Sequence, residues 1–454
     1  MRQLKIISFT MLAGALIFSN NTAQASVPMN LQQYVREILL NNHSLRAGVK
    51  SVEADYYSVL ASVGLHRMNV TGGSGFSWIS DTPNKSNYTA GNLTISLTQP
   101  VDIVGVFKLD QQQNILGYEI SRANFNTNLN SLIATAEQTW WSAVLARENV
   151  KLQREILLQR SENHRVTVEK YNQELVPRLD VVRSEAQVVA AETTAKNAET
   201  TYQNLLANLS YLAGGIDVEP IDEELRVPDF DIDLNYEDAL SLRPDVKAAE
   251  LTVERAKIVR KLTSKGLSPT LMFAFNATLW SDPSTSTTPN NHEVMGALNL
   301  SLPIFDGKKT KYSVLNTDRL VQASEASLEA LKEQTRLDIA LAINNWKDAA
   351  ASEQDKKRQV ERSEEELRIT ELMYAEGMGA QIDLINAQTA YQSVKTEYLD
   401  AIKNMYVALV DLRRAMGVYS PDEDGTWNEA KLLYKKGEDV IGETGLKTLR
   451  TDKK

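Results

Sequence analysis

Tyr171–Asp180 reads YNQELVPRLD, and about 203 residues further on Tyr374–Asp383 reads YAEGMGAQID. Each block interrupts a long helical pattern, through Pro177 in the first and through Gly377 and Gly379 in the second. The correspondence extends outward. Pro100 matches Pro303, Leu212-Ala213-Gly214 stands opposite Ala415-Met416-Gly417, and the runs into the first strand of each half end at Gly64 and Gly266. A duplication of this size is one structural solution used twice. The predicted repeats cover 26–213 and 236–418, with an acidic segment at 214–235 between them and a further segment at 419–454.

Inside each repeat the apolar period changes from that of a helix to that of a strand. Leu31, Tyr34, Val35, Ile38 and Leu39, then Leu45, Val49, Val52, Tyr56 and Val59, follow a helical spacing, with Asn30 as a plausible cap. The matching run covers about 236–265, and Pro244 suits a first helical turn after a short leading helix. Beyond Gly64 the period becomes two. Met68, Val70, Phe76 and Trp78 alternate with Asn69, Thr71 and Ser77, and Leu93, Ile95 and Leu97 with Thr94, Ser96 and Thr98. In the second half Leu271, Phe273, Phe275, Ala277 and Leu279 form one such run, and Leu298, Leu300, Leu302 and Ile304 another. These are two predicted hairpins, at about 66–103 and 269–305.

An ordinary half-buried sheet would show the same alternation. Two features favour lipid on one face and water on the other. The alternate residues are small and neutral, and Trp78, Tyr88 and Trp280 cluster toward the hairpin tips as an aromatic membrane girdle. Strands in lipid must close into a barrel, because each unpaired backbone group costs several kcal/mol. Four strands cannot close around a lumen, whereas three chains would supply twelve.

The remaining segments are helical over lengths beyond a globular diameter, since sixty residues reach roughly 90 Å. Tyr391, Val394, Tyr398, Ile402, Met405, Leu409 and Leu412 are spaced 3, 4, 4, 3, 4, 3, the mark of a knobs-into-holes seam. A simple coiled coil would satisfy the same spacing. Turns between helices are predicted near 172–180 and 376–381, facing away from the strands.

Bulk properties narrow the function. The formal charge of −10 disfavours nucleic acid as a partner, and removal of Arg2 and Lys5 with the leader makes it −12. Met1–Ala25 has a basic start, an apolar run from Ile6 to Phe18 and the small site Ala23-Gln24-Ala25, the pattern of a secretory signal peptide. The apolar run is too short to cross a bilayer comfortably as an anchor. There is no cysteine, which excludes a disulfide scaffold. His43, His66, His164 and His292 fall in unrelated elements without metal-ligand spacing, and no nucleophile elbow or phosphate loop is present. No catalysis, cofactor or metal is expected.

Further residues carry a resemblance. They are Asn41-Asn42-His43-Ser44-Leu45, Leu242-Arg243-Pro244-Asp245-Val246, Leu302-Pro303-Ile304-Phe305-Asp306-Gly307, and Tyr374-Ala375-Glu376-Gly377 followed by Asp383-Leu384-Ile385-Asn386-Ala387. In this order and duplication the mature chain resembles the outer-membrane efflux proteins, the trimeric TolC-like channel-tunnels. The resemblance implies an α+β membrane channel: a trimeric 12-stranded outer-membrane β-barrel continuous with a long periplasmic α-helical barrel. It further implies a homotrimer in outer-membrane lipid, a periplasmic adaptor protein, and an inner-membrane ABC or proton-driven transporter. Such a duct conducts drugs or secreted proteins passively. A periplasmic structural or adaptor-like coiled-coil protein is the alternative, although an adaptor needs only one helical pair.

Carried over residue by residue, the family's gate tyrosine matches Tyr374 and its first constriction aspartate Asp383. The gate arginine is replaced by Gly379 and the second aspartate by Asn386. Arg178 and Asp180 of the first repeat are expected to lie near Asp383 and to offer a replacement salt bridge, so that Arg178→Ala would raise conductance. The tip turns, at Glu174, Pro177, Gly377 and Gly379, are the expected adaptor contact.

Overall fold

A computed structural model describes residues 26–81, 86–221, 236–281 and 291–417. The leader at 1–25, most of the acidic segment at 214–235 and the segment at 419–454 lie outside the described residues.

The chain enters through β1 (Val27–Met29) and α1 (Leu31–Asn41), which starts on a capping box. The Asn30 carboxamide accepts from Gln33 N at 2.8 Å, and Gln33 Oε1 accepts from Asn30 N at 3.1 Å. The helical run does not continue unbroken to Gly64. Asn42 adopts an extended conformation, ends α1 and caps α2 (His43–Leu65) by accepting from Leu45 N at 3.0 Å. Strands β2 (Asn69–Asp81) and β3 (Ser86–Val101) follow, then α3 (Val106–Asn172) and α4 (Arg178–Leu212). β4 (Val218–Pro220) pairs in parallel with β1. The second repeat runs α5 (Tyr236–Leu242), α6 (Pro244–Thr263), β5 (Thr270–Ser281), β6 (Asn291–Ser301), α7 (Lys309–Ala375) and α8 (Gln381–Ala415). Pro244 takes the first turn of α6, where its missing N–H is not needed.

The four long strands form one antiparallel sheet in the order β2-β3-β5-β6, so that both outer edges are unpaired within the chain. The register sorts the side chains by face. One row across the sheet is Val70, Leu97, Phe275, Gly296, and the next is Gly72, Ile95, Ala277, Val294. The alternate rows are Thr71, Ser96, Asn276, Met295 and Gly73, Thr94, Thr278, Glu293. The apolar face carries no covering layer: Ile95, Leu279 and Val294 are 51%, 55% and 60% exposed. Trp78 pairs with Thr89 and falls in the row parity of Val70 and Phe76, and its ring is exposed. Tyr88 pairs with Ile79 and Trp280 with Asn92, positions of the alternate parity, and their side chains lie outside the described set. Among the described residues no helix is long and apolar enough to cross a membrane.

Strand passes to helix by the same device in both repeats. Asp102 accepts from Val106 N and Phe107 N, and Asp306 from Lys308 N and Thr310 N, at 2.7–3.0 Å. Each carboxylate satisfies amides that the helix start leaves without partners. Left-handed residues make the bend, Gly105 at the first junction and Gly307 with Lys308 at the second.

The two 67-residue helices α3 and α7 each reach about 100 Å at 1.5 Å per residue. α3 packs on α2 and α6 near the sheet and on α4 and α8 beyond, while α7 packs on α6 and α8. Midway lies the main core. Tyr34 stacks on Trp140 at 5.1 Å and Trp141 on Tyr406 at 3.8 Å, with Leu209, Met405, Met29 and Val218 around them. The opening helices dock here at carbonyls that correspond between repeats. Asn42 Nδ2 donates to Leu212 O at 2.9 Å, and Arg243 Nη1 to Ala415 O at 3.1 Å. Gly214 has to be glycine: its φ is +77°, and a Cβ would come within 2.4 Å of Asn41 O. Arg243 also grips Asp245 at 2.5 and 3.0 Å. Burial works against the Asp245 charge, but these bonds outweigh it and hold the carboxyl below its usual range.

Trp140 is fully buried in this waist. Trp140→Ala is expected to cost about 3–5 kcal/mol through lost burial and the cavity left behind. Trp140→Phe should cost less. The shift in urea midpoint of the detergent-solubilised protein measures both.

Candidate periplasmic gate

The end of the molecule remote from the sheet is built by two turns of one design. At the first, Glu174 N donates to Tyr171 O and Leu175 N to Lys170 O, both at 2.9 Å, with Glu174 at φ +59°. At the second, Gly377 N donates to Tyr374 O at 3.2 Å and Met378 N to Met373 O at 2.9 Å, with Gly377 at φ +74°. Both are helix ends closed by a left-handed residue, but only the second uses the residue type that holds that conformation without strain. Pro177 and Ala380, both extended, then start α4 and α8, with Asp180 and Asp383 in the first turns where helix dipoles favour an acid. Gly379 is tightly held. Its N–H donates to Met373 O at 3.0 Å, and a Cβ would lie 3.2 Å from Tyr374 N.

Asp383 and Arg178 are exposed and Asp180 is half-buried. Asp180 lies 3.9 Å from Arg183, and among the described residues no ion pair joins Arg178 or Asp180 to Asp383 within the chain. Tyr374 lies under Lys170 Nζ, 4.2 Å from the ring centroid, and its ring packs on Leu367, Leu384 and Ala387. What reaches across from α8 to the first repeat is Gln381. Its Nε2 donates to Thr167 Oγ1 at 3.2 Å and to Asp180 O at 3.4 Å.

Gln381 is the lowest rung of a ladder. One heptad up, Arg160 donates to Gln388 Oε1 at 2.7 Å and to Thr389 Oγ1 at 3.1 Å. One heptad further, Gln153 accepts from Gln392 Nε2 at 3.1 Å and donates to Thr396 Oγ1 at 3.4 Å. Residues 153, 160 and 167 of α3 thus face α8 at coiled-coil spacing, as buried polar groups. Arg160 is only 4% exposed, and burial lowers its affinity for the proton. Within each hairpin the seam carries apolar clusters, Val150, Ala198 and Tyr202 between α3 and α4 and Leu367, Leu384 and Ala387 between α7 and α8, with single polar contacts such as His164 with Ser184 and Tyr398 with Glu353. Toward the tip the two hairpins are therefore joined to each other by hydrogen bonds, whereas at the waist the stack of Trp141 on Tyr406 joins α3 to α8. Reading the sequence singled out Tyr374 and Asp383 but missed Gln153, Arg160, Thr167, Gln381 and Gln388. Their seven-residue spacing is the signal that could have found them.

Among the described residues no group of His, Asp and Glu is placed to hold a metal. A sheet with one bare apolar face and two open edges, continuous with a helical layer about 100 Å long, is a sector of the wall of an outer-membrane channel. The chain belongs to the outer membrane efflux protein family, whose model matches residues 34–215 and 235–418. Its curated relatives include Nodulation protein T of Rhizobium leguminosarum bv. trifolii, 23% identical over 416 residues and 86% of each chain. Outer membrane protein TolC of Escherichia coli strain K12 is 23% identical over 437 residues, 89% of this chain and 84% of that one. Among solved structures CusC superposes with a TM-score of 0.77 at 14% identity, over 86% of this chain and 92% of CusC. The open state of the Neisseria gonorrhoeae MtrE channel gives 0.73 at 21% identity, over 86% and 89%. The fold is thus that of the channel-tunnels, an outer-membrane barrel with a large periplasmic helical portion. The chain is an exit duct of the efflux and secretion class, and not an enzyme. The periplasmic coiled-coil alternative is set aside by the family match.

The two tip turns are expected to respond in opposite ways to substitution. Gly377→Ala forces a side chain into left-handed backbone at about 1–2 kcal/mol and should speed amide exchange at 377–379. Glu174→Gly removes the same strain while adding unfolded-state entropy, and should leave exchange at the first turn unchanged or slower. Hydrogen–deuterium exchange of the assembled protein reads both.

Proposed function

We propose that three copies of this chain form one duct whose outer-membrane segment is a twelve-stranded barrel and whose periplasmic end is gated. The observation that carries this reading is that both layers stop at open margins. The sheet ends at β2 and β6, and the helical layer at α4 on one side and α7 on the other. Exposed apolar residues mark those helical margins toward the tip, among them Leu179, Val182 and Val189 on α4 and Ile369, Leu372 and Met373 on α7. Both continue naturally into a neighbouring copy, β2 against β6 and α4 against α7, and twelve strands lie within the range of closed membrane barrels.

Asp383, exposed on the first turn of α8, supplies a ring of three carboxylates that favours cations at the constriction. Arg178 and Asp180 stand at the start of α4, the marginal helix. Arg178, exposed on that margin and opposite in charge to Asp383, pairs with Asp383 of a neighbouring copy, with Asp180 beside it on the same turn. The tip turns at Glu174, Pro177, Gly377 and Gly379 form the surface offered to the adaptor. The transporter behind it is of the ABC or the proton-driven class. Trp78, exposed in the apolar row parity, is the girdle residue this geometry favours.

Purified protein in detergent should migrate as a trimer when unheated and as a monomer after boiling, and in planar bilayers should give cation-selective channels. Asp383→Asn should lower the cation preference several-fold without changing trimer migration. Arg178→Ala should raise conductance. A monomer that inserts no channels would overturn the proposal.

A further inference from the structure

The two lowest rungs of the ladder, with Tyr374 beside them, contain polar atoms that the protein does not satisfy. Tyr374 Oη, Gln381 Oε1 and Gln388 Nε2 are each shielded from solvent and bonded to no protein atom. All three residues line one cavity of about 20 Å³, walled by Arg160, Asn163 and Thr167 of α3 and Ser184 and Gln187 of α4. The orientation of both amides is fixed by their other ends. Gln388 turns its oxygen to Arg160, which leaves the NH₂ group for the cavity. Gln381 turns its nitrogen to Thr167 and to the Asp180 carbonyl, which leaves its oxygen. The cavity thus presents one donor, one acceptor, and a phenol that can act as either.

That combination selects its occupant. A buried, unmatched polar atom costs about 1–3 kcal/mol, and three in one cavity would be a heavy penalty at the junction of two hairpins. A space of 20 Å³ exceeds the roughly 10–15 Å³ that one water needs. Water can also donate to Gln381 and accept from Gln388 at once. A halide, which only accepts, would be drawn by Arg160 but would face the Gln381 oxygen unfavourably. A neighbouring copy cannot supply the partner without rearrangement, because the atoms are inaccessible already within the single chain.

We propose that this cavity is a hydration site for a single ordered water, bonded to Tyr374 Oη, Gln381 Oε1 and Gln388 Nε2, and that this water completes the lowest rung holding α7 and α8 to the first repeat. The water site stands on the cavity alone. Its effect on conductance rests on the gate reading above, and the two are tested separately.

The first test is a high-resolution structure of the wild-type trimer, collected with and without replacement of chloride by bromide. One spherical peak within hydrogen-bond distance of the three atoms, without bromide anomalous signal, supports the site. An empty cavity, a bromide peak, or a direct protein partner for any of the three atoms overturns it. The second test uses Tyr374→Phe, which keeps the ring and removes one of the water's partners. Trypsin cleavage at Lys170 or Arg178 in the assembled trimer should rise about fivefold, the equivalent of one ordinary hydrogen bond. Cleavage at the wild-type rate would refute the water's role in holding the tip, even with the peak present. If cleavage rises while single-channel conductance stays at the wild-type value, the hydration site survives and the gate reading fails.

Discussion

A strand edge in a bilayer has no water to bond to, and this chain carries two such edges, on β2 and on β6. The rest of the architecture follows from that constraint. The bare apolar rows of Val70, Leu97 and Phe275, or of Ile95, Ala277 and Val294, make sense only against lipid, and lipid makes open edges intolerable. Closure must therefore come from other copies, and the helices below must close over the same number of copies because they are continuous with the strands. The junction carboxylates Asp102 and Asp306 make that continuity stiff by capping each long helix where its strand ends.

Duplication gives the wall twice the pieces, but the pieces are not held alike. Inside each hairpin interlocking apolar clusters line the seam, of the kind that resists sliding. Between hairpins, beyond the waist where Trp141 stacks on Tyr406, they are hydrogen bonds that join Gln153, Arg160 and Thr167 of α3 to glutamines of α8. Burying a guanidinium without a carboxylate partner is a poor way to maximise stability, since the desolvation penalty is offset only by neutral acceptors. It is a good way to define one register, because any slip of α8 along α3 leaves the charge without its two oxygens. The tip thus combines two firm units with a specific, breakable joint.

The period-2 runs of β5 and β6 were plain in the sequence because every odd position from Leu271 to Leu279 is apolar, although Met272 and Ala274 on the other face are apolar too. β2 runs past Trp78, the last apolar residue of its alternating pattern, to Asp81, because Ile79, Ser80 and Asp81 pair with Tyr88, Asn87 and Ser86 of β3. The spacing of Tyr391 to Leu412 announced a helical seam, but not which helix lay across it. The break at Asn42 was hidden since apolar periodicity persists through it; only the cap chemistry of an asparagine before a helical run marks it. At the tip, Tyr374 stood out through its repeat partner Tyr171. Arg160, Gln381 and Gln388 did not, because a glutamine or arginine on a helix reads as a solvated surface residue until a second helix is known to face it. The absence of an ion pair joining Arg178 to Asp383 within one chain, among the described residues, has a related cause: repeat symmetry predicts which positions correspond, not which of them touch.

The unbroken course of α3 and α7 from sheet to tip limits how such a tunnel can change its length. Residues added to one helix alone would throw its apolar stripe out of phase with its partner, and adding three or four would rotate everything beyond. Growth or shortening must come in whole heptads, inserted at matching heights in α3, α4, α7 and α8 together. The reach across the periplasm is therefore quantised, in steps of about 10 Å.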